Sequence, residues 1–218
     1  MEPIRVLLVD DQSLIRSGFR MMLDTTPDLL VVGEASNGQQ AIDQALRLKP
    51  DVILMDVRMP VMDGIVATRQ IVLALNTKVL ILTTFDLDEY AFEGLKAGAS
   101  GFLLKDALPE ALYDAIRAIA GGDAVLTPRI TRDLVNRFAR ASVPGRSGSD
   151  ASTLLATLTA REKDAFDLIA AGLSNSEIAA EMFVAEATVK THITRLLMKL
   201  ELRDRVQVVI FAYENGLR

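Results

Sequence analysis

The sequence predicts an α/β doubly wound parallel five-stranded sheet followed by a small all-α domain, and three observations carry that prediction. Short apolar runs alternate with amphipathic stretches from the start of the chain, a segment rich in Pro, Gly and Ser then interrupts the pattern, and everything after it has helical period. The apolar runs are Ile4 to Val9, Leu29 to Val32, Val52 to Met55, Val79 to Leu82 and Phe102 to Leu104. Their continuous apolar character suits strands covered on both faces. Between them, Leu14 to Leu23, Gln39 to Leu48, Ile65 to Ala74, Glu89 to Ala97 and Pro109 to Ala120 carry helical spacing, so the alternation reads as βα units.

Another helical pattern spans Thr127 to Ala141, and Ser142 to Ser152 (SVPGRSGSDAS) then has almost no apolar side chain, which is linker chemistry. Beyond it, Ala160 to Ala171, Asn175 to Met182, Ala187 to Leu200 and Arg205 to Asn215 are helical and closely spaced. The expected organisation is a first domain over 1–125, a linker with a helical start over 126–153, and a second domain over 154–218.

Composition sets the outer bounds. The chain has 218 residues, half of them hydrophobic, which is enough to bury ordinary cores. It contains no Cys, so disulfides, thiolate metal sites and cysteine nucleophiles are excluded. The start runs straight into a strand pattern and no apolar run approaches a membrane-spanning length, so a cytoplasmic protein without a membrane partner is expected. The net charge of −5 is uneven: residues 1–128 carry 11 basic against 18 acidic side chains, and 129–218 carry 13 against 11. A second half at +2 is compatible with nucleic acid without arguing strongly for it.

In an open doubly wound sheet, ligands sit at the carboxyl ends of the strands, so the polar residues there are informative. Strand one ends in Asp10 and Asp11, strand three in Asp56, strand four in Thr83 and Thr84, and strand five in Lys105. Each Asp alone reads more readily as a turn former or helix cap. Together, three carboxylates on one edge cost electrostatic energy unless a cation compensates, and an all-oxygen set with open water positions suits Mg²⁺. A carboxylate can be the nucleophile toward phosphorus, and Asp56 is the candidate. Lys105 would then pair with a phosphoryl oxygen and Thr83 would hydrogen-bond another.

The segments VLLVDDQSLIR, DVILMDVRMPVMDG, ILTTFD and GASGFLLKD together resemble the receiver domain of response regulators, a flavodoxin-like fold, over about residues 4–120. The resemblance implies phosphorylation at Asp56 by a sensor histidine kinase. It also implies Mg²⁺ held by Asp11, Asp56 and the backbone carbonyl of Arg58, with Asp10 acting through water. Thr83, Phe102 and Lys105 become the phosphate-sensing switch, Phe102 by turning inward when Thr83 moves toward the phosphoryl group. On its own, Phe102 reads as core. Pro60 stiffens the loop after Asp56, and Gly64 permits a tight turn into the next helix.

Ser174 can cap the helix that starts near Asn175, whose buried face is Ile178, Ala179 and Met182. The next helix turns Val189, Ile193, Leu196, Leu197 and Leu200 inward, and two short helices joined by a tight turn make a helix-turn-helix. Lys190, Thr191, Thr194 and Arg195 fall away from the apolar stripe, with Lys199 one turn further on, giving a small, polar, cationic face that suits a major groove. The stretch from Leu158 to Leu217 resembles the LuxR-type DNA-binding domain, and with the receiver this identifies the chain as a member of the NarL/FixJ subfamily. The resemblance implies base-edge contacts with double-stranded DNA from Lys190, Thr191 and Thr194, and backbone contacts from Thr188 and Lys199.

One departure from the family pattern is Ala185 before the recognition helix, where a capping Ser or Thr is usual. The single His192 has no second His or Cys to share a metal and is read as structural or solvent-facing. In the last helix, Val206, Val209, Ile210 and Tyr213 on one side and Val208 and Phe211 elsewhere suggest a dimer seam as well as core. The expected protein is a response regulator and not an enzyme, with a phosphorylated homodimer binding DNA to regulate transcription. A phosphatase with Asp56 as nucleophile is the rival, but it would need a second acid two residues on, where Arg58 stands. A helical domain used only for protein interaction is the third reading.

Overall fold

The computed structural model describes residues 2–84, 88–123, 125 and 153–217. The helix expected at 127–141 and the linker at 142–152 lie outside the described residues. The chain forms two units, Met1–Thr127 and Pro128–Arg218.

In the first unit the strands are β1 (Ile4–Val9), β2 (Leu29–Ala35), β3 (Val52–Asp56), β4 (Lys78–Thr83) and β5 (Gly101–Leu104), separated by α1 (Ser13–Asp24), α2 (Gly38–Leu48), α3 (Gly64–Ala74) and α4 (Asp88–Lys96), with α5 (Pro109–Ala120) after β5. The sheet order is β2-β1-β3-β4-β5 and every pairing is parallel. Alternation explains why the strands are apolar throughout. Val6, Leu8, Val52, Leu54, Leu80 and Leu82 pack with Phe19 and Leu23 of α1 and Leu112, Ala115, Ile116 and Ile119 of α5. The intervening Leu7, Ile53, Met55 and Ile81 are equally buried on the opposite face. There, a Cβ at Gly94 of α4 would meet the Ile81 side chain at 3.2 Å, so this glycine lets α4 lie close on β4.

The order reverses between β1 and β3, which opens the crevice at their carboxyl ends. Register then aligns the polar residues. Val9 pairs with Met55, Asp56 with Leu82 and Thr83 with Leu104, so the residues at or just beyond the four strand ends lie side by side.

The second unit holds α6 (Ala160–Ala170), α7 (Asn175–Met182), α8 (Glu186–Lys199) and α9 (Arg205–Glu214). Thr159 and Ser174 each make a reciprocal capping box, with Glu162 and Glu177, which satisfies backbone donors that the helix starts leave open. Ala185 precedes α8 with no side-chain cap, as the sequence indicated. Ile178, Ala179, Met182, Val189, Ile193, Leu196 and Leu200 are buried as expected, and Leu197 is only half-buried. Phe166 of α6 meets Phe211 of α9 edge to face at 6.3 Å.

In α9, Val206, Val208, Val209, Ile210, Ala212 and Tyr213 are buried within the single chain and Phe211 is half-buried, so the core part of the expectation for this helix is met and little apolar surface is left for a seam. A helix that is apolar all round is a core helix unless a face is left open.

Candidate functional site

The backbone brings Asp10, Asp11, Asp56, Thr83 and Lys105 to one edge, and the side chains of Asp10, Asp11, Asp56 and Lys105 meet there. Carboxylate oxygens of Asp10, Asp11 and Asp56 lie within 4.8 Å of one another, with Asp10 and Asp56 buried and Asp11 exposed. Lys105 Nζ lies 2.5 Å from Asp10 Oδ2 and 3.0 Å from Asp56 Oδ1. Asp10 Oδ1 accepts from the Gln12 backbone N–H at 2.9 Å, and Asp56 Oδ1 accepts from that of Val57 at 2.8 Å. Asp10 Oδ2, by contrast, is buried with a close charge contact and no aligned hydrogen bond.

The charges do not balance. Three carboxylates face one ammonium, which leaves two negative charges, the charge of one divalent cation. Burial pushes the Asp56 carboxyl above its ordinary range and Asp10 adds to the rise, although Lys105 pulls the other way. Burial also works against the Lys105 ammonium, but the close carboxylates of Asp10 and Asp56 outweigh it and raise its pKa. An under-compensated, all-oxygen cluster with a buried oxygen lacking a hydrogen bond is chemically suited to a hard cation.

Two supporting features exceed what the sequence indicated. A Cβ at Gly64 would fall 1.9 Å from the Asp56 carbonyl oxygen, so the glycine is needed for the start of α3 to press against the Asp56 backbone, beyond its use in a turn. Arg16 Nη1 donates to the Asp10 carbonyl at 2.6 Å, and Glu34 accepts from Arg16 at 3.1 Å and from Arg20 at 2.6 Å. Hydrogen bonding from Arg20, opposed by desolvation and assisted by Arg16, holds Glu34 below the usual carboxylate range. Nothing in the spacing of Arg16 and Glu34 announces this brace for the Asp10 loop.

Thr83 is buried at the end of β4, and its carbonyl accepts from the Lys105 N–H at 2.7 Å, which ties the ends of β4 and β5 together. Phe102 is 2% exposed and packs as part of the core. Arg58 is exposed, and its side chain reaches Tyr90 of α4.

On α8, Thr188, Lys190, Thr191, Thr194 and Arg195 are all exposed on one helix, opposite the buried Val189, Ile193 and Leu196. Thr191 and Thr194 donate their hydroxyl protons to the carbonyls of Ala187 and Lys190, so toward a partner each presents a methyl group and an acceptor oxygen. His192 is half-buried. Lys199 departs from the expectation of a phosphate contact. Its Nζ lies 2.6 Å from Oε2 of the buried Glu162 and 3.1 Å from the Thr157 carbonyl. Moving that ammonium to a DNA phosphate would leave a buried carboxylate without its cation.

The comparisons with known proteins agree with this geometry. Residues 6–117 match the response regulator receiver domain, and residues 156–212 match the LuxR family of bacterial regulatory proteins. The transcriptional regulatory protein YxjL of Bacillus subtilis is 48% identical over 99% of this chain and 98% of its own length. LiaR of the same organism is 40% identical over 98% and 99%. Among solved structures, the response regulator ChrA of a heme-sensing two-component system is 37% identical over the full length of both chains, with a TM-score of 0.54. The chain belongs to the response regulators, with a receiver domain joined to a LuxR-type DNA-binding domain.

Proposed function

We propose that the protein accepts a phosphoryl group on Asp56 from the phosphohistidine of a sensor kinase and in response binds specific DNA sequences through α8. The observation that carries this is the convergence of Asp10, Asp11, Asp56 and Lys105, set by strand register at the one reversal of strand order. An Asp56 oxygen attacks phosphorus in line, the imidazole departs, and the product is an acyl phosphate. Lys105, already between Asp10 and Asp56, turns its ammonium to the incoming phosphoryl oxygens. The Thr83 hydroxyl, at the adjacent strand end, donates to another.

Asp10, Asp11 and Asp56, with the carbonyl of Arg58, would hold Mg²⁺, which supplies neutralisation of the charge gathering on those oxygens. The polypeptide is thus itself the product of the transfer, keeping on Asp56 the phosphoryl group that it takes from the kinase. No helix among the described residues is long and apolar enough to cross a membrane, and a regulator of this kind works beside the chromosome, in the cytoplasm.

Phosphorylation shifts a monomer–dimer equilibrium, and a dimer places two copies of α8 on adjacent half-sites of double-stranded DNA, which raises affinity through effective concentration. Lys190, Thr191 and Thr194 face base edges, and Thr188 and Arg195 face the flanking backbone. The domains that carry these two acts are 1–125 and 154–218, joined by 126–153. Sequencing of fragments that the protein selects from random DNA, with and without a small acyl-phosphate donor and Mg²⁺, tests the reading. Enrichment of one palindromic motif that strengthens with the donor supports it. A pool left random under both conditions contradicts it.

A further inference from the structure

Arg58 stands two residues after Asp56, in the loop whose carbonyl is assigned to the metal, and its side chain leaves that loop for a different element. Its Nη2 donates to Tyr90 Oη at 2.8 Å, and its guanidinium carbon lies 5.0 Å from the centroid of the Tyr90 ring. The same cation therefore uses both the hydroxyl and the face of one aromatic side chain. Tyr90 belongs to the first turn of α4, and α4 is seated on β4 through the close approach of Gly94 to Ile81.

We propose that Arg58 and Tyr90 form a latch that ties the loop after Asp56 to α4 in the unphosphorylated protein, and that a phosphoryl group on Asp56 opens it. The inference rests on Asp56 being the phosphoacceptor. Its cause is a competition between acceptors for one guanidinium. The phenol oxygen and ring face offer a neutral partner, in a contact exposed enough that it contributes little stability. A dianionic phosphoryl group arriving two residues along the chain offers charged oxygens, and hydrogen bonds to ionised acceptors are roughly twice as strong. A contact that differs between two states shifts their balance, and one made equally in both would shift nothing. The latch thus gives α4 a direct report of the charge at Asp56, by a route separate from Thr83 and Phe102. Arg58 and Tyr90 act as positioning residues, with no part in the bond-making step.

Hydrogen exchange of the α4 amides in the full chain, before and after treatment with acetyl phosphate and Mg²⁺, tests this, with intact mass recording the phosphoryl group in the same samples. In wild type, phosphorylation should speed exchange over residues 92–97 by about 2- to 10-fold, the range expected for loss of one exposed cation–ring contact and its hydrogen bond. Arg58→Ala and Tyr90→Leu should each show the fast exchange before phosphorylation and little change after it, and the double variant should go no further than either single one. Tyr90→Phe, which keeps the ring and removes the hydroxyl, should fall between. Phosphorylated single variants that keep the full wild-type change, a phosphorylated wild type with no change at α4, or additive effects in the double variant would each overturn the latch. Failure of wild type to take up a phosphoryl group would overturn the Asp56 reading and the latch with it.

Discussion

Lys105 and Lys199 are both drawn toward carboxylates beneath the surface, and their surroundings differ in the ratio of acid to base. Lys199 meets one buried carboxylate, Glu162, which also accepts the Thr159 N–H at 2.8 Å. The hydrogen bond from Lys199 and that from the Thr159 backbone outweigh desolvation and hold Glu162 at a pKa of about 2. Lys105 meets two carboxylates with a third close by, and there burial wins, so Asp56 rises instead. The first arrangement is electrically complete and serves to hold α6 against α8. The second is incomplete, and an incomplete set of charges is one that a cation and a phosphoryl group can join. Completeness of the ion pair, more than its depth, separates the lysine that braces two helices from the one proposed to meet a phosphoryl group.

The largest effects should come from breaking the complete pair. Lys199→Ala should destabilise the helical domain by about 1 to 3 kcal/mol in urea denaturation, because Glu162 would remain buried without its cation. DNA affinity at high denaturation margin should change far less than for Lys190→Ala, for which a loss of about 1 to 3 kcal/mol in specific binding is expected from titration against the selected site.

The same pair sets a pH dependence with a definite sign. Glu162 has an ordinary value of 4.5 when unfolded and about 2 when folded, so its contribution is fully present above 4.5 and disappears as pH falls from 4.5 through 2. Glu162→Gln should be less stable than wild type at neutral pH and should lose that part of the acid sensitivity. Equal acid sensitivity in both proteins, measured by denaturation across this range, would show that Glu162 is not the titrating group.

The incomplete set should respond in the opposite sense. With divalent ions chelated, Asp56→Asn should stabilise the receiver by about 0.5 to 2 kcal/mol, since it removes a carboxylate whose burial is not compensated. Mg²⁺ should stabilise wild type, by about 2.7 kcal/mol at 100 times its dissociation constant, and the Asn variant much less. Thermal melts with chelator and with Mg²⁺ check both.

Smaller gains should follow where the backbone or a cap is unsatisfied. Val61, in the loop after Asp56, is 88% exposed at a φ of 69°, a conformation costly for a β-branched residue, so Val61→Gly should stabilise by up to about 1 kcal/mol. Ala185→Ser supplies the missing cap of α8 and should contribute about 0.5 to 1 kcal/mol. Loss of stability in either variant would mean that the local backbone differs from that described.

Much of this was legible because the sequence states it locally. The β1 run, the α5 pattern and the Ser174 cap lie where period and turn chemistry put them, and Asp10, Asp56, Thr83 and Lys105 could be aligned by assuming parallel strands alone. β2 runs on through Gly33 and Glu34 to Ala35, because an edge strand tolerates a charge that ended the apolar run. What stayed hidden depends on partners far apart in sequence. Lys199 looked like one more cation on the recognition helix, and only the fold sets it against Glu162, 37 residues away. Arg16 and Glu34 carry no motif, and the apolar residues of α9 do not state whether this chain or a second copy covers them.

If the incomplete cluster at the ends of β1, β3 and β5 is where phosphorus is accepted, the phosphoryl group must depend on Asp56 and be indifferent to Lys199. Intact-mass spectrometry of wild type, Asp56→Asn and Lys199→Ala after incubation with acetyl phosphate and Mg²⁺ reads this out. A single added phosphoryl group is expected on wild type and on Lys199→Ala, and none on Asp56→Asn. Equal labelling of the Asn variant would contradict it.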